Sequence, residues 1–130
     1  MNAPLPTLAP PGGNYRHAVC HGDLVFVSGQ LGARPDGMHT ADLTFEDQVR
    51  QALANLRAAL ASAGADLDGV LKLTAYIVDV AHWPRFNAVY AEVMGEARPA
   101  RTVVPVPELH YGYLVELDAI AVRRAPGAAP

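Results

Sequence analysis

Two side chains near the C-terminal end of the chain are equipped for a reaction. Arg101 follows Pro99-Ala100 and precedes Thr102-Val103-Val104. The proline stiffens the approach and the β-branched run starts a strand, so the guanidinium has an anchored base. Its planar donor fork matches a carboxylate in a bidentate pair, which suits it to a small anionic substrate. An ordinary surface arginine is the bland alternative. Glu116 lies in Leu114-Val115-Glu116-Leu117-Asp118-Ala119-Ile120, where alternation puts Leu114, Glu116, Asp118 and Ile120 on one face. Spacing alone favours a half-exposed strand with its charges in water. The sharper reading is a carboxylate in a cleft, tuned to handle a water molecule.

Weaker signals accompany this pair. Ser28 and Gly29 close an apolar run and offer a hydroxyl and an unobstructed backbone N–H, though simple strand termination explains them too. Asn87 sits beside the apolar stripe of a helix, and Tyr15 precedes a strand, as core or as cleft lining. Other chemistries find little support. The five histidines are scattered; His17 and His21 are near each other but have no third ligand, so no metal site is expected. Cys20 and Ser28 lack the context of a nucleophile, and no glycine-rich phosphate loop is present.

The framework that carries these residues is that of one domain. A chain of 130 residues with net charge −3 has room for a single core and no basic footprint for nucleic acid. One cysteine excludes an intrachain disulfide. The N-terminus lacks the basic and apolar regions of a signal peptide, and no apolar run reaches the ~20 residues of a membrane span, so a cytoplasmic location is expected. Residues 1–13, rich in proline and glycine, are expected to form an extended arm, 14–124 the domain, and 125–130 a short tail.

Within the domain, His17–Cys20 and Asp23–Gln30 read as strands joined by a tight turn at His21-Gly22-Asp23. Thr44 caps a helix whose stripe is Phe45, Val49, Leu53, Leu56, Leu60 and Ala63, with Gln48, Arg50, Gln51 and Arg57 largely off it and Gly64 at its end. Val70–Val78 reads as a strand with Leu71, Leu73, Ala75 and Ile77 on one face and Lys72, Thr74, Tyr76 and Val78 on the other. Trp83-Pro84 opens a second helix that Gly95 stops, and strands at Thr102–Val106 and Leu114–Val122 finish the domain. The order β-β-α-β-α-β-β makes a two-layer α+β fold with both helices on one face of the sheet. The other face is left bare, which predicts an oligomer. Pro105 and Pro107 each remove a backbone donor, so their strand should be an edge or irregular.

Several segments in this order resemble the RidA (YjgF-type) family of enamine/imine deaminases. They are Gly22-Asp23-Leu24-Val25-Phe26-Val27-Ser28-Gly29-Gln30, Gln51-Ala52-Leu53-Ala54-Asn55-Leu56, Lys72-Leu73-Thr74, Phe86-Asn87-Ala88-Val89-Tyr90, Pro99-Ala100-Arg101-Thr102 and Val115-Glu116-Leu117-Asp118-Ala119-Ile120-Ala121. The last two carry most of the specificity. The resemblance runs from about Tyr15 to Val122. It implies a chorismate-mutase-like fold with a mixed sheet, a homotrimer with the sheets facing a central barrel, and a cleft at each subunit interface. It implies that Arg101 binds the substrate carboxylate, that Glu116 positions the attacking water, and that Tyr15, Ser28, Gly29 and Asn87 line the cleft. Val103 stands where many active relatives have a cysteine whose backbone carbonyl meets the ligand. The segment Glu108-Leu109-His110-Tyr111-Gly112-Tyr113 replaces a Leu-Pro-Lys-like turn, which would alter the cleft rim.

The expected activity is hydrolysis of a 2-imino acid, or its enamine tautomer, to a 2-oxo acid and ammonia. Such a substrate is already reactive, so positioning and proton transfer suffice and no cofactor or metal is expected. The expected partners are a small 2-imino or 2-oxo acid and two further copies of the chain, with neither nucleic acid nor membrane. Val103 and segment 108–113 keep two alternatives open: a trimeric protein that binds small carboxylates without turnover, and a deaminase for a larger, ring-derived enamine acid.

Overall fold

A computed structural model describes residues 8–124; the remaining parts of the arm (1–7) and the tail (125–130) lie outside the described residues. The strands are β1 (Ala18–His21), β2 (Leu24–Gln30), β3 (Val70–Val78), β4 (Ala100–Val106) and β5 (Val115–Val122). The helices are α1 (Phe45–Ser62) and α2 (Trp83–Met94). The sheet runs β1-β2-β5-β3-β4, antiparallel throughout except for the parallel pair of β3 and β4. Two helices on one face of a sheet is what the segment order predicts, and the mixed pairing is what the family resemblance implies.

Local chemistry sets most element ends. Gly22, with φ 60°, makes the tight turn between β1 and β2. The Thr44 side chain accepts a hydrogen bond from the Asp47 backbone N–H at 3.1 Å and starts α1. Gly64, at φ 79°, takes the left-handed turn after it. Packing then fixes the helix. Val49, Leu53, Leu56 and Leu60 are fully buried against the sheet, beside Leu73, Ile77, Val115 and Leu117. Full burial of one such side chain contributes about 1.5–3 kcal/mol, so the stripe outweighs the cap, worth about 1 kcal/mol. Helix α2 adds Phe86 and Val89 to the core. It is tied to α1 by Arg85, which donates to both carboxylate oxygens of Glu46 at 2.8 and 2.6 Å, and by Arg50, which donates to Glu92 at 3.1 Å.

Three details depart from the sequence reading. Gln48 is not off the stripe but fully buried. Its Nε2 donates to the carbonyls of Ala41 and Leu43 at 3.1 and 3.2 Å, and its Oε1 accepts from the Leu114 N–H at 2.9 Å. It thereby ties the loop before α1 to the start of β5. Leu71 does not join the core face; it is half exposed, because the register against β5 slips between Val70 and Lys72 and turns Val70 inward instead. Of the arm, Leu8 is buried in the core and the Ala9 carbonyl is hydrogen-bonded to His17 Nε2 at 2.7 Å.

The strand with Pro105 is indeed an edge, since β4 ends the sheet. Replacing Gln48 by leucine leaves one backbone N–H and two carbonyls without their partner in a partly buried place. The expected cost is about 2–3 kcal/mol of stability, read as a lowered urea midpoint at unchanged slope.

Candidate active site

The cleft that holds Glu116 begins at a fault in the sheet. Between Val27 and Gln30, β2 carries one residue more than β5 offers from Ala119 to Leu117. This bulge at Ser28-Gly29 re-aims the end of β2 and lays glycine backbone over the neighbouring strand. Glu116 is on the sheet face away from the helices, since Val115 and Leu117 on either side of it are fully buried beneath α1. A Cβ on Gly29 would lie 2.5 Å from Glu116 Oε2 and 3.0 Å from its Cδ. Only glycine leaves room for the carboxylate where it is. In Gly29→Ala the flexible end of Glu116 must swing aside. Any activity that depends on the position of Glu116 should drop at least tenfold, on the scale of displaced reacting groups, with the thermal midpoint nearly unchanged.

Glu116 is half-buried and makes no hydrogen bond or ion pair among the described residues. Burial raises its pKa above the ordinary carboxylate value; His110 opposes the shift and the like charge of Asp118 adds to it. Asp118 itself accepts a hydrogen bond from the Tyr76 hydroxyl at 3.1 Å. A carboxyl group so placed takes up a proton more readily than one in water, which suits it to proton transfer.

Around it, Tyr15, Ser28, Gly29, Gln30, His39, Asn55, His110 and Tyr111 line a cleft of about 720 Å³. The Ser28 hydroxyl donates to the Arg16 carbonyl at 2.5 Å, so in this arrangement it offers a ligand its lone pairs rather than its proton. The Tyr15 hydroxyl accepts from the Gly12 N–H at 3.3 Å, and the ring stands edge-on to His17. Asn55 donates to the Leu31 and Ala33 carbonyls at 2.8 and 2.7 Å and holds the loop that forms one wall. Sequence reasoning had joined Tyr15, Ser28, Gly29 and Glu116, and the structure brings those four together.

Arg101, Asn87 and Val103 are elsewhere. Arg101 pairs in register with the fully buried Leu73, which places it on the helix side of the sheet. Its guanidinium lies over the rings of Tyr90 and Phe86, 4.8 and 5.7 Å from their centroids. It has no carboxylate partner among the described residues. Asn87, three residues from Tyr90 on α2, has a buried Oδ1 without a partner, as does the Tyr90 hydroxyl. Val103 packs against the core from the same strand as Arg101.

Arg101 and Glu116 are thus on opposite faces of the sheet. They are two strands and three residues apart, roughly 14 Å between Cα positions from the standard strand spacing and rise. One chain cannot hold a small acid with both.

His39, Asn55, His110 and Tyr111 were missed from sequence. His110 and Tyr111 lie in the unusual segment 108–113 and Asn55 in the family-like stretch 51–56, whereas His39 carries no such signal. Among the described residues no group of three or more His, Cys, Asp or Glu is arranged to hold a metal ion. No helix there is long and apolar enough to cross a membrane.

Residues 7–123 match the family described as Endoribonuclease L-PSP. A RutC family protein of Pyrococcus horikoshii is 38% identical over 122 residues, covering 94% of this chain and 93% of the relative. Reactive Intermediate Deaminase A of Arabidopsis thaliana, a chloroplastic protein, is 34% identical over 109 residues, covering 84% of this chain and 58% of that one. Among solved structures, the YjgF gene product of E. coli superposes with a TM-score of 0.84 at 30% identity, over 91% of this chain and 94% of that one.

Proposed function

The chain belongs to the Endoribonuclease L-PSP family, which includes reactive intermediate deaminases, and from this membership we propose that it hydrolyses 2-imino acids and their enamine tautomers to 2-oxo acids and ammonia. The observation that carries the reading is the half-buried Glu116, held against Gly29 with its pKa raised, in a cleft open to a small molecule. Glu116 accepts a proton from water as the water oxygen bonds to the imine carbon. It returns that proton to nitrogen. The same carboxyl then relays the hydroxyl proton of the resulting carbinolamine to its nitrogen, the C–N bond breaks, ammonia leaves, and the carbonyl forms. An enamine is first protonated at carbon by the same carboxyl. All of this is proton traffic at a positioned, reactive substrate.

The substrate carboxylate needs a cation, and the residues lining the cleft include no lysine or arginine. Arg101 supplies it from a neighbouring copy. The functional unit is then a homotrimer whose clefts each combine Glu116, Ser28, Gly29 and Tyr15 of one subunit with Arg101, Asn87 and Val103 of the next. The uncovered sheet face supports assembly: Val19, Phe26, Leu71 and Val122 are exposed on the sheet, around the polar Tyr76–Asp118 and Lys72–Thr102 pairs. Cleavage of RNA, which the family description names, has less support here. Phosphates require cations, whereas this cleft presents a carboxylate.

The test is subunit mixing. Arg101→Ala and Glu116→Gln are each purified, shown to be inactive on imines generated in situ from amino acids, then unfolded and refolded together at equal ratio. If each cleft draws on two subunits, random mixing in a closed ring restores about a quarter of wild-type activity. No recovery from correctly reassembled protein counts against the shared cleft. A wild type that does not accelerate imine loss ends the deaminase reading, and saturable binding of 2-oxo acids without turnover would put a carboxylate-binding protein in its place.

A further inference from the structure

We propose that His39 and Tyr111 form a specificity subsite that selects substrates with an aromatic or other planar apolar side chain. This rests on the deaminase reading for its chemistry, but not for its geometry. Both residues line the same cleft as Glu116. At about 720 Å³ that cleft falls in the range of roughly 300–1,000 Å³ typical of sites for drug-sized ligands.

The wall is built from the core outward. Tyr113 is buried, and its phenol oxygen accepts from the Thr40 backbone N–H at 3.0 Å. The phenol proton is then free to go to His39 Nδ1, 2.9 Å away, which fixes the plane of the imidazole. Tyr111 stacks on that imidazole, with ring centroids 4.4 Å apart and planes 28° apart. Its backbone sits in the left-handed region, at φ 61° and ψ 16°, followed by Gly112 at φ 77°. A non-glycine residue is strained there. In this conformation Tyr111 stays out of the core and remains 67% exposed at the cleft wall. Nothing in the packing of the domain requires so large an apolar ring at this place.

The surroundings narrow the ligand class. Tyr15 and His17 line the same cleft, and among the residues lining it Glu116 is the sole carboxylate and no lysine or arginine occurs. An anionic side chain on this wall would meet Glu116 and find no lysine or arginine of the same subunit. A flat apolar group can stack against Tyr111 or meet ring edges. The segment that carries Tyr111 is also the one that departs from the turn common in the family that the sequence resembles.

The test uses product-state probes, so that it does not depend on turnover. Titration calorimetry compares 2-oxo-3-phenylpropanoate with 2-oxobutanoate on the wild type and on Tyr111→Gly. Glycine takes this backbone conformation without strain, so the turn is kept while the ring is lost. The aromatic acid should bind roughly tenfold tighter than the aliphatic one. The ratio should fall to within about twofold in Tyr111→Gly and return in Tyr111→Phe. Equal affinities in the wild type, an unchanged ratio in Tyr111→Gly, or no saturable binding of either acid would each overturn the subsite. A parallel assay on the two corresponding imines separates the readings: aromatic-selective binding without imine hydrolysis sinks the deaminase and leaves the subsite standing.

Discussion

Arg101→Ala should lower kcat/KM for 2-imino acids by roughly 10²–10³-fold and leave the fold standing. Removing the cationic partner of a desolvated charge costs about 2–5 kcal/mol, and each 1.36 kcal/mol is a factor of about ten. Little of the stability rests on this residue. Its guanidinium is stacked on Tyr90 and Phe86 and pairs with no carboxylate among the described residues. Such stacking is worth about 0.5–2 kcal/mol, so the activity loss exceeds the stability loss. Arg101→Lys keeps the charge but not the planar fork, and should recover no more than about a tenth of wild-type activity. Steady-state kinetics beside urea unfolding make the comparison. A drop in kcat/KM of less than about threefold would remove Arg101 from the site.

Glu116→Gln should act on kcat instead. Loss of a positioned general base costs about 10²–10⁴-fold, whereas glutamine keeps the volume and polarity that line the cleft, so KM should move little. The same variant should be more stable than the wild type at neutral pH. Burial raises the Glu116 pKa above 4.5 in the folded chain, so the folded state keeps the proton to a higher pH than the unfolded chain does. Between those two values wild-type stability therefore falls as pH rises, and the deficit persists above them. Thermal midpoints of the two proteins should converge as pH drops below 4.5 and separate again near neutrality. The acid limb of wild-type activity should also lie above 4.5. A constant gap between the melting curves at all pH values would mean that burial does not disfavour this carboxylate.

The layout of the elements was legible because its signals are local. A 3.6-residue stripe, a threonine cap, a two-residue turn at Gly22-Asp23 and a proline in an edge strand are all set within a few residues. Gln48 and Asn55 were not legible as buried residues. Their burial depends on partners from other parts of the chain, Leu114 for one and the Leu31 and Ala33 carbonyls for the other. Leu71 was misplaced because alternation cannot see a register slip.

The candidate site shows the same division. Arg101 and Glu116 stood out by residue type. Their placement on opposite faces follows from register: Arg101 pairs with Leu73 and Glu116 with Tyr76, positions of opposite parity on β3. His39 and Tyr113 meet across 74 positions, a separation at which no sequence pattern operates.

Pro105 bears on a different matter, the behaviour of this chain at high concentration. A sheet with free edges is a template for adding strands from other molecules, and stacking of that kind has no natural end point. Here one edge, β1, is four residues long, and the other, β4, carries Pro105, with no N–H to continue a ladder. Both ends of the sheet are therefore poor seeds for polymerisation. Pro105→Val would restore the missing donor and lengthen the usable edge. Light scattering on concentrated, gently heated samples should show that variant aggregating before the wild type, even with an unchanged thermal midpoint. The proline that breaks the strand pattern thus serves to keep the protein in solution.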